Sequence, residues 1–179
     1  EGIRKEQLVN FTHQLETYSK TTQKVPKDWM EAFFMLRQYL ETLKDKKHIV
    51  IFIDEMPWLD THNSRFLKAF ELFWNEWASK QDNLKLIVCG SATTWMTNTL
   101  LGNKGGLHNR VTRSIYLRPF NLAEVEEFLM ARGFQLERFQ IVELYMAMGG
   151  TPYYLDMMQR SLSVAQNIDH LFFASNAPL

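Results

Sequence analysis

A chain of 179 residues, 46% hydrophobic and 13% aromatic, can bury one sizeable core and at most a small second lobe. Twenty basic residues balance twenty acidic ones, so no overall field draws the chain to nucleic acid, an anionic membrane or an acidic substrate, and charge-driven binding must be local. The single cysteine, Cys89, excludes a disulfide framework or a cysteine-rich zinc site and fits a reducing compartment, with the cytoplasm as the expected location.

No apolar run approaches the roughly 20 residues that span a bilayer, and no charged-then-apolar leader precedes the first helix. The chain starts at Glu1-Gly2 without an initiating methionine and stops at Ala177-Pro178-Leu179, so it is expected to be an excised domain or the ordered part of one.

From Ile3 to about Tyr18, Leu8, Phe11 and Leu15 are spaced like one face of a helix, and the polar stretch 18–24, closed by Pro26, reads as a loop. Between Asp28 and about Lys44, Trp29, Phe33, Leu36, Leu40 and Leu43 recur at three- and four-residue steps, which predicts an amphipathic helix. After a lysine-rich turn, the run Ile49 to Ile53 is β-branched, continuously apolar and too short for a helix. It predicts a buried parallel strand.

Beyond Pro57 and a polar turn at Asp60 to Ser64, the residues Phe66, Phe70, Phe73, Trp74 and Trp77 outline another helix. Leu84 to Cys89 reads as a second strand, followed by Gly90-Ser91 and a short helix from Thr93 to Leu101. A third short strand is expected from Ser114 to Leu117, ending at Pro119. This alternation implies an α/β fold.

Past that point the pattern is helical only. Asn121 and Glu124 have capping-box spacing, and Gly133 sits where a helix over 122–132 should stop. An apolar periodicity running through Phe139, Val142 and Met146 halts at Gly149-Gly150, Thr151-Pro152 opens a helix to about Ser161, and a last helix covers Val164 to Phe173. The expected division is therefore an α/β core over residues 1–120 and a small all-helical part over 121–179.

The chemistry concentrates where the first strand ends. A carboxylate after five apolar residues is costly to bury, so Asp54 must emerge at the carboxyl edge of the sheet, where open α/β folds bind ligands. One acid there can hold the water shell of a magnesium ion while its neighbour, Glu55, orients a water for attack on a γ-phosphate. The plainer alternative is that Asp54 caps a turn and Glu55 is merely solvated.

The second strand ends at Ser91, placing a polar side chain beside the acid pair to sense that phosphate, unless Gly90-Ser91 is simply a turn. Arg110 and Arg113 are cations that can offset negative charge in a transition state, or else ordinary surface arginines. The aromatic stretch Gly149 to Leu155 can pack on a nucleotide-bearing lobe or only form a sharp helix corner.

The order of these motifs, Ile-Val-Ile-Phe-Ile-Asp-Glu-Met-Pro-Trp-Leu59, Leu-Ile-Val-Cys-Gly-Ser-Ala92, Leu117-Arg-Pro-Phe120 and Gly149-Gly-Thr-Pro-Tyr-Tyr-Leu155, resembles the prokaryotic, archaeal-type ATPases of the AAA+ and signalling P-loop group over about residues 45–156. The resemblance implies an ATP- and Mg2+-dependent hydrolase that switches conformation. It gives Asp54 the Walker B metal role, via water, Glu55 the catalytic role and Ser91 that of first sensor. Asp54, Glu55 and Ser91 would thus face the nucleotide. Arg110, in Asn109-Arg110 where the family usually has Gly-Arg, stands at an arginine-finger position, with Arg113 nearby, and the helices after Pro119 correspond to a lid.

No Gly-x-x-x-x-Gly-Lys-Ser/Thr phosphate loop occurs in the chain, and Gly102 to Gly106 is expected to be only a flexible turn. In the family it resembles, the phosphate loop precedes the acidic strand by enough sequence to form a strand, a helix and a second strand, and only two helices precede it here, so the loop is expected upstream of Glu1. In the family's sheet order the strand that carries the loop lies between the strands ending at Cys89 and Leu117. Without it the fragment should expose unpaired strand edges and bind nucleotide poorly. Nucleotide is thus the expected partner, with self-association and a C-terminal domain of the same parent chain as further candidates, and no membrane or direct nucleic-acid contact. The competing expectations are a non-catalytic interaction module on a degenerate ATPase fold, or the ATPase part of a DNA-linked regulator.

Overall fold

The computed structural model describes residues 2–102 and 105–178. The chain divides into two compact units, Glu1–Ser114 and Ile115–Leu179.

The first unit is built from helices α1 (Gly2–Ser19) and α2 (Trp29–Glu41), strand β1 (Ile49–Ile53), the short helix α3 (Met56–Leu59), helix α4 (Phe66–Glu76), strand β2 (Leu84–Val88) and the short helix α5 (Thr93–Trp95), which continues as a π-helical stretch over Met96–Leu101. Asp28 starts α2 as its N-cap, accepting from the Glu31 N–H at 2.9 Å. The two strands pair in parallel, with Ile49 opposite Leu84 and Ile53 opposite Val88.

The core of this unit is aromatic. Trp29 and Phe33 of α2 meet Phe66, Phe70 and Phe73 of α4. The Trp29 and Phe66 rings pack edge-to-face with centroids 4.9 Å apart, and Phe33 stacks on Phe73 at 5.1 Å. Ile49, Ile51 and Ile53 of β1 and Leu84, Leu86 and Val88 of β2 turn toward this cluster.

The opposite sheet face carries Val50, Phe52 and Ile87, which are 58%, 59% and 48% exposed. The apolar run of β1 had predicted burial on both faces; in the structure helices cover one face, and the burial alternates along the strand. The expected third strand at Ser114 to Leu117 does not form either. A strand needs a neighbour for its N–H and C=O groups, and the segment has no ladder partner among the described residues, leaving Ile115, Tyr116 and Leu117 exposed. Two residues of the expected turn, Asn103 and Lys104, lie outside the described residues.

The second unit contains α6 (Leu122–Ala131), α7 (Arg138–Met148), α8 (Pro152–Asp156) and α9 (Val164–Ile168), the last continuing as a π-helical stretch over Asp169–Phe173. The capping box of α6 is complete: Asn121 Oδ1 accepts from the N–H groups of Ala123 and Glu124, and Glu124 returns by accepting from the Asn121 N–H. Gly133, at φ +81, ends it.

Helix α7 forms where expected but buries a different face. Ile141, Leu144 and Met148 enter the core, while Phe139 and Met146 are 79% and 83% exposed and Val142 is also exposed. Apolar residues occur at helical spacing on both sides of this helix, so periodicity alone cannot choose the buried one.

Helix α8 is also shorter than the expected helix to about Ser161. The buried side chain of Asn167 accepts from the Gln159 N–H and donates to the carbonyls of Gln159, Leu162 and Ser163, satisfying backbone groups that a continued helix would otherwise pair. The segment before α6 belongs to this unit through the Phe120 N–H, which donates to the Gly150 carbonyl at 2.8 Å, and through the Phe120 ring, 5.5 Å from that of Phe128.

Candidate functional site

The parallel register carries β1 and β2 to the same level, so the residues following them, Asp54 and Cys89, come side by side. Cys89 is fixed from both directions: its N–H donates to the Ile53 carbonyl at 3.0 Å, and its carbonyl accepts from the Met56 N–H at 2.9 Å. Between those anchors the β1 chain turns sharply at Glu55, which adopts left-handed geometry with φ 45 and ψ 47. A non-glycine residue in that region carries strain of about 1–3 kcal/mol and persists only where its surroundings hold it.

The surroundings here are the β2 turn. The Ser91 N–H lies 3.2 Å from both carboxylate oxygens of Glu55, and the Ser91 hydroxyl donates to Oε2 at 3.1 Å. Asp54 Oδ1 accepts from the Cys89 thiol at 2.5 Å and from the Glu55 N–H at 3.0 Å. The hydrogen bond to Asp54 pushes the Cys89 thiol above the ordinary thiol range. A backbone hydrogen bond involving Glu55 opposes this, while desolvation and the charges of Asp54 and Glu55 add to it. Cys89 therefore remains a protonated donor.

Gly90, between Cys89 and Ser91, is a close-approach glycine. A Cβ at this position would stand 2.6 and 2.7 Å from Pro57 Cδ and Cγ. Farther out, the Trp95 indole N–H donates to Asp60 Oδ2 at 3.2 Å, joining the end of α3 to α5.

The structure thus brings together three of the residues singled out in the sequence, Asp54, Glu55 and Ser91, and adds Cys89, Gly90 and Pro57, whose part the sequence had not suggested. The available signal was positional, since Asp-Glu and Cys-Gly-Ser each follow a five-residue strand. Arg110 and Arg113 lie on an exposed stretch and make no hydrogen bond or ion pair with the two acids among the described residues. Asn109 has φ 54, so it supplies the left-handed conformation for which glycine is the usual choice and which asparagine tolerates.

No cluster of three or more metal-ligating side chains occurs among the described residues. Two adjacent carboxylates with one oxygen of Asp54 left open suit a hard cation that keeps most of its own waters, as Mg2+ does. A cavity of about 740 Å3 runs along β1 beneath α1 and α2 and is mainly apolar; Asp54 borders it but Glu55 and Ser91 do not. The acid pair therefore lies at the open sheet edge, with only Asp54 reaching the rim of that cavity.

The family model for an ATPase domain found predominantly in Archaea matches residues 1–158. The chain belongs to this archaeal ATPase family. It is 28% identical over 158 residues to an uncharacterized protein of Methanocaldococcus jannaschii, in a match covering 88% of this chain and 33% of that protein. The Walker-type ATPase PABY2304 of Pyrococcus abyssi has a similar fold, with a TM-score of 0.57 at 16% identity, over 94% of this chain and 51% of that one. The chain thus spans about a third of the curated relative and about half of the solved structure. Its fold is that of a P-loop ATPase, with a small parallel sheet and many helices. Among the described residues no helix is long and apolar enough to cross a membrane.

Proposed function

We propose that this chain is the acid-bearing portion of an AAA+-like ATPase domain, in which MgATP hydrolysis drives a conformational switch. The observation that carries the reading is the junction of Asp54, Glu55 and Ser91 at the carboxyl edge of two parallel strands. Asp54, as the Walker B acid, presents its open oxygen to the water shell of the cation. The cation, when bound, offsets the charge of the nucleotide phosphates. Glu55 orients the attacking water and accepts its proton, and Ser91 fixes the Glu55 carboxylate from the neighbouring strand and senses the γ-phosphate.

Arg110 and Arg113 sit on an exposed segment that is free to meet phosphates from this domain or from a second copy. The helices after Phe120 act as the lid, the phosphate-binding loop comes from a part of the parent chain outside these residues, and the location is the cytoplasm. The partners are nucleotide, a second ATPase domain and further domains of the parent chain.

Steady-state MgATP hydrolysis by the parent chain, with Glu55→Gln alongside, tests this. Hydrolysis that falls about 10²–10⁴-fold in the variant while nucleotide still binds supports it. A parent chain that binds no nucleotide sinks it. That outcome would favour a second reading, a non-catalytic interaction module, for which the exposed Val50, Phe52 and Ile87 on one sheet face speak.

A further inference from the structure

We propose that Cys89 is a positioning residue that fixes the direction in which the free carboxylate oxygen of Asp54 faces the cation. The inference rests on the ATPase reading for its consequence but on independent geometry for its cause. Asp54 is exposed and one residue past the end of β1, so nothing in its own strand restricts its side chain.

Two donors restrict it instead. Oδ1 takes the Cys89 thiol and the Glu55 N–H, which together fill the two acceptor positions of that oxygen and leave Oδ2 to point away. The thiol can do this reproducibly because its own backbone does not move relative to the acid turn: the Cys89 N–H is bonded to Ile53, just before Asp54, and its carbonyl to Met56, just after Glu55.

The residue that follows β2 thus clamps the turn after β1 at three points, and only the third involves a side chain. Replacing the side chain leaves the two backbone points of the clamp in place and removes one of the two donors that orient Asp54. A cation held through water by a carboxylate depends on where that carboxylate's free oxygen lies, so the effect falls on metal affinity more than on folding.

The direct test needs no nucleotide. The chain contains a single cysteine, so its infrared S–H stretch reports this bond alone. The band is expected at lower frequency in the wild-type chain than in Asp54→Ala, and an identical band in the two would overturn the proposal. The consequence is read in the parent chain by Mn2+ titration, followed by electron paramagnetic resonance in the presence of ADP. Cys89→Ser, which keeps a donor, should hold Mn2+ within about twofold of wild type, whereas Cys89→Ala and Cys89→Val should each weaken it about tenfold.

Unchanged Mn2+ affinity in both Ala and Val variants, in a protein whose wild type hydrolyses ATP, would sink the inference and leave the ATPase reading standing. A shifted S–H band in this chain, beside a parent chain that binds neither Mn2+ nor ADP, would sink the ATPase reading and, with it, the metal-positioning role.

Discussion

Ser91 grips the carboxylate of Glu55 with two donors, its backbone N–H at 3.2 Å and its hydroxyl at 3.1 Å. The backbone contribution survives any substitution that keeps the turn, and the hydroxyl does not. Ser91→Ala should therefore slow MgATP hydrolysis by the parent chain about tenfold, a smaller loss than Glu55→Gln, with nucleotide affinity within about threefold of wild type. Single-turnover hydrolysis alongside equilibrium nucleotide binding separates the two quantities. A Ser91→Ala protein as fast as wild type would remove Ser91 from the catalytic arrangement.

Gly90 has no room for a side chain against Pro57. Gly90→Ala is expected to lower stability by about 1–3 kcal/mol through overpacking, and the double variant with Pro57→Ala should recover a large part of that loss. Urea unfolding of the two single variants and the double variant checks the coupling. Strictly additive effects would mean that the two residues do not collide.

In the second unit Phe120 and Gly150 approach each other through their backbones. A Cβ on Gly150 would stand 1.8 Å from the Phe120 carbonyl oxygen, and that neighbour is backbone that cannot rotate aside. Gly150→Ala should thus break the hydrogen bond between the Phe120 N–H and the Gly150 carbonyl and unlock the segment before α6. Amide hydrogen exchange is expected to accelerate at Phe120 and through α6 while β1 and β2 keep their wild-type protection. Unaltered exchange at Phe120 would contradict this.

Asn167 is 1% exposed and completes four backbone contacts through its side chain. Asn167→Leu fills similar volume but strands those groups, so a loss of roughly 3 kcal/mol is expected, large for one substitution. Thermal unfolding of the variant measures it, and a change below about 1 kcal/mol would show that water replaces the amide.

Arg132 donates to Asp156 and also lies over the Phe128 ring, with its guanidinium 4.0 Å from the centroid. The hydrogen bond from Arg132 holds the Asp156 carboxyl below the ordinary aspartate range; desolvation opposes this and the Arg132 charge adds to it. Because the folded-state value is the lower one, the pair contributes stability above the unfolded-state pKa, and the contribution disappears as pH falls through the folded value. Melting temperatures followed from about pH 6 down to about pH 2 should fall less steeply in Asp156→Asn than in wild type. Parallel curves would show that the pair is too exposed to matter, as surface ion pairs often are.

The sequence by itself determined most elements of the first unit and the place of the acid pair, because these depend on local pattern. Five β-branched or apolar residues make a strand, a carboxylate ends it, and Asp28, Asn121 and Gly133 mark helix boundaries through the conformations they favour. Tertiary structure alone decided which of two apolar faces α7 buries, since Ile141 and Phe139 are equally acceptable to the helix and only packing distinguishes them. It also decided that Ser114 to Leu117 stays unpaired among the described residues, because a strand is a property of two paired segments and not of one. The pairing of Cys89 with Asp54 and of Ser91 with Glu55 belongs to the same class: these residues are 35 and 36 positions apart, and only the register of β1 on β2 makes them neighbours.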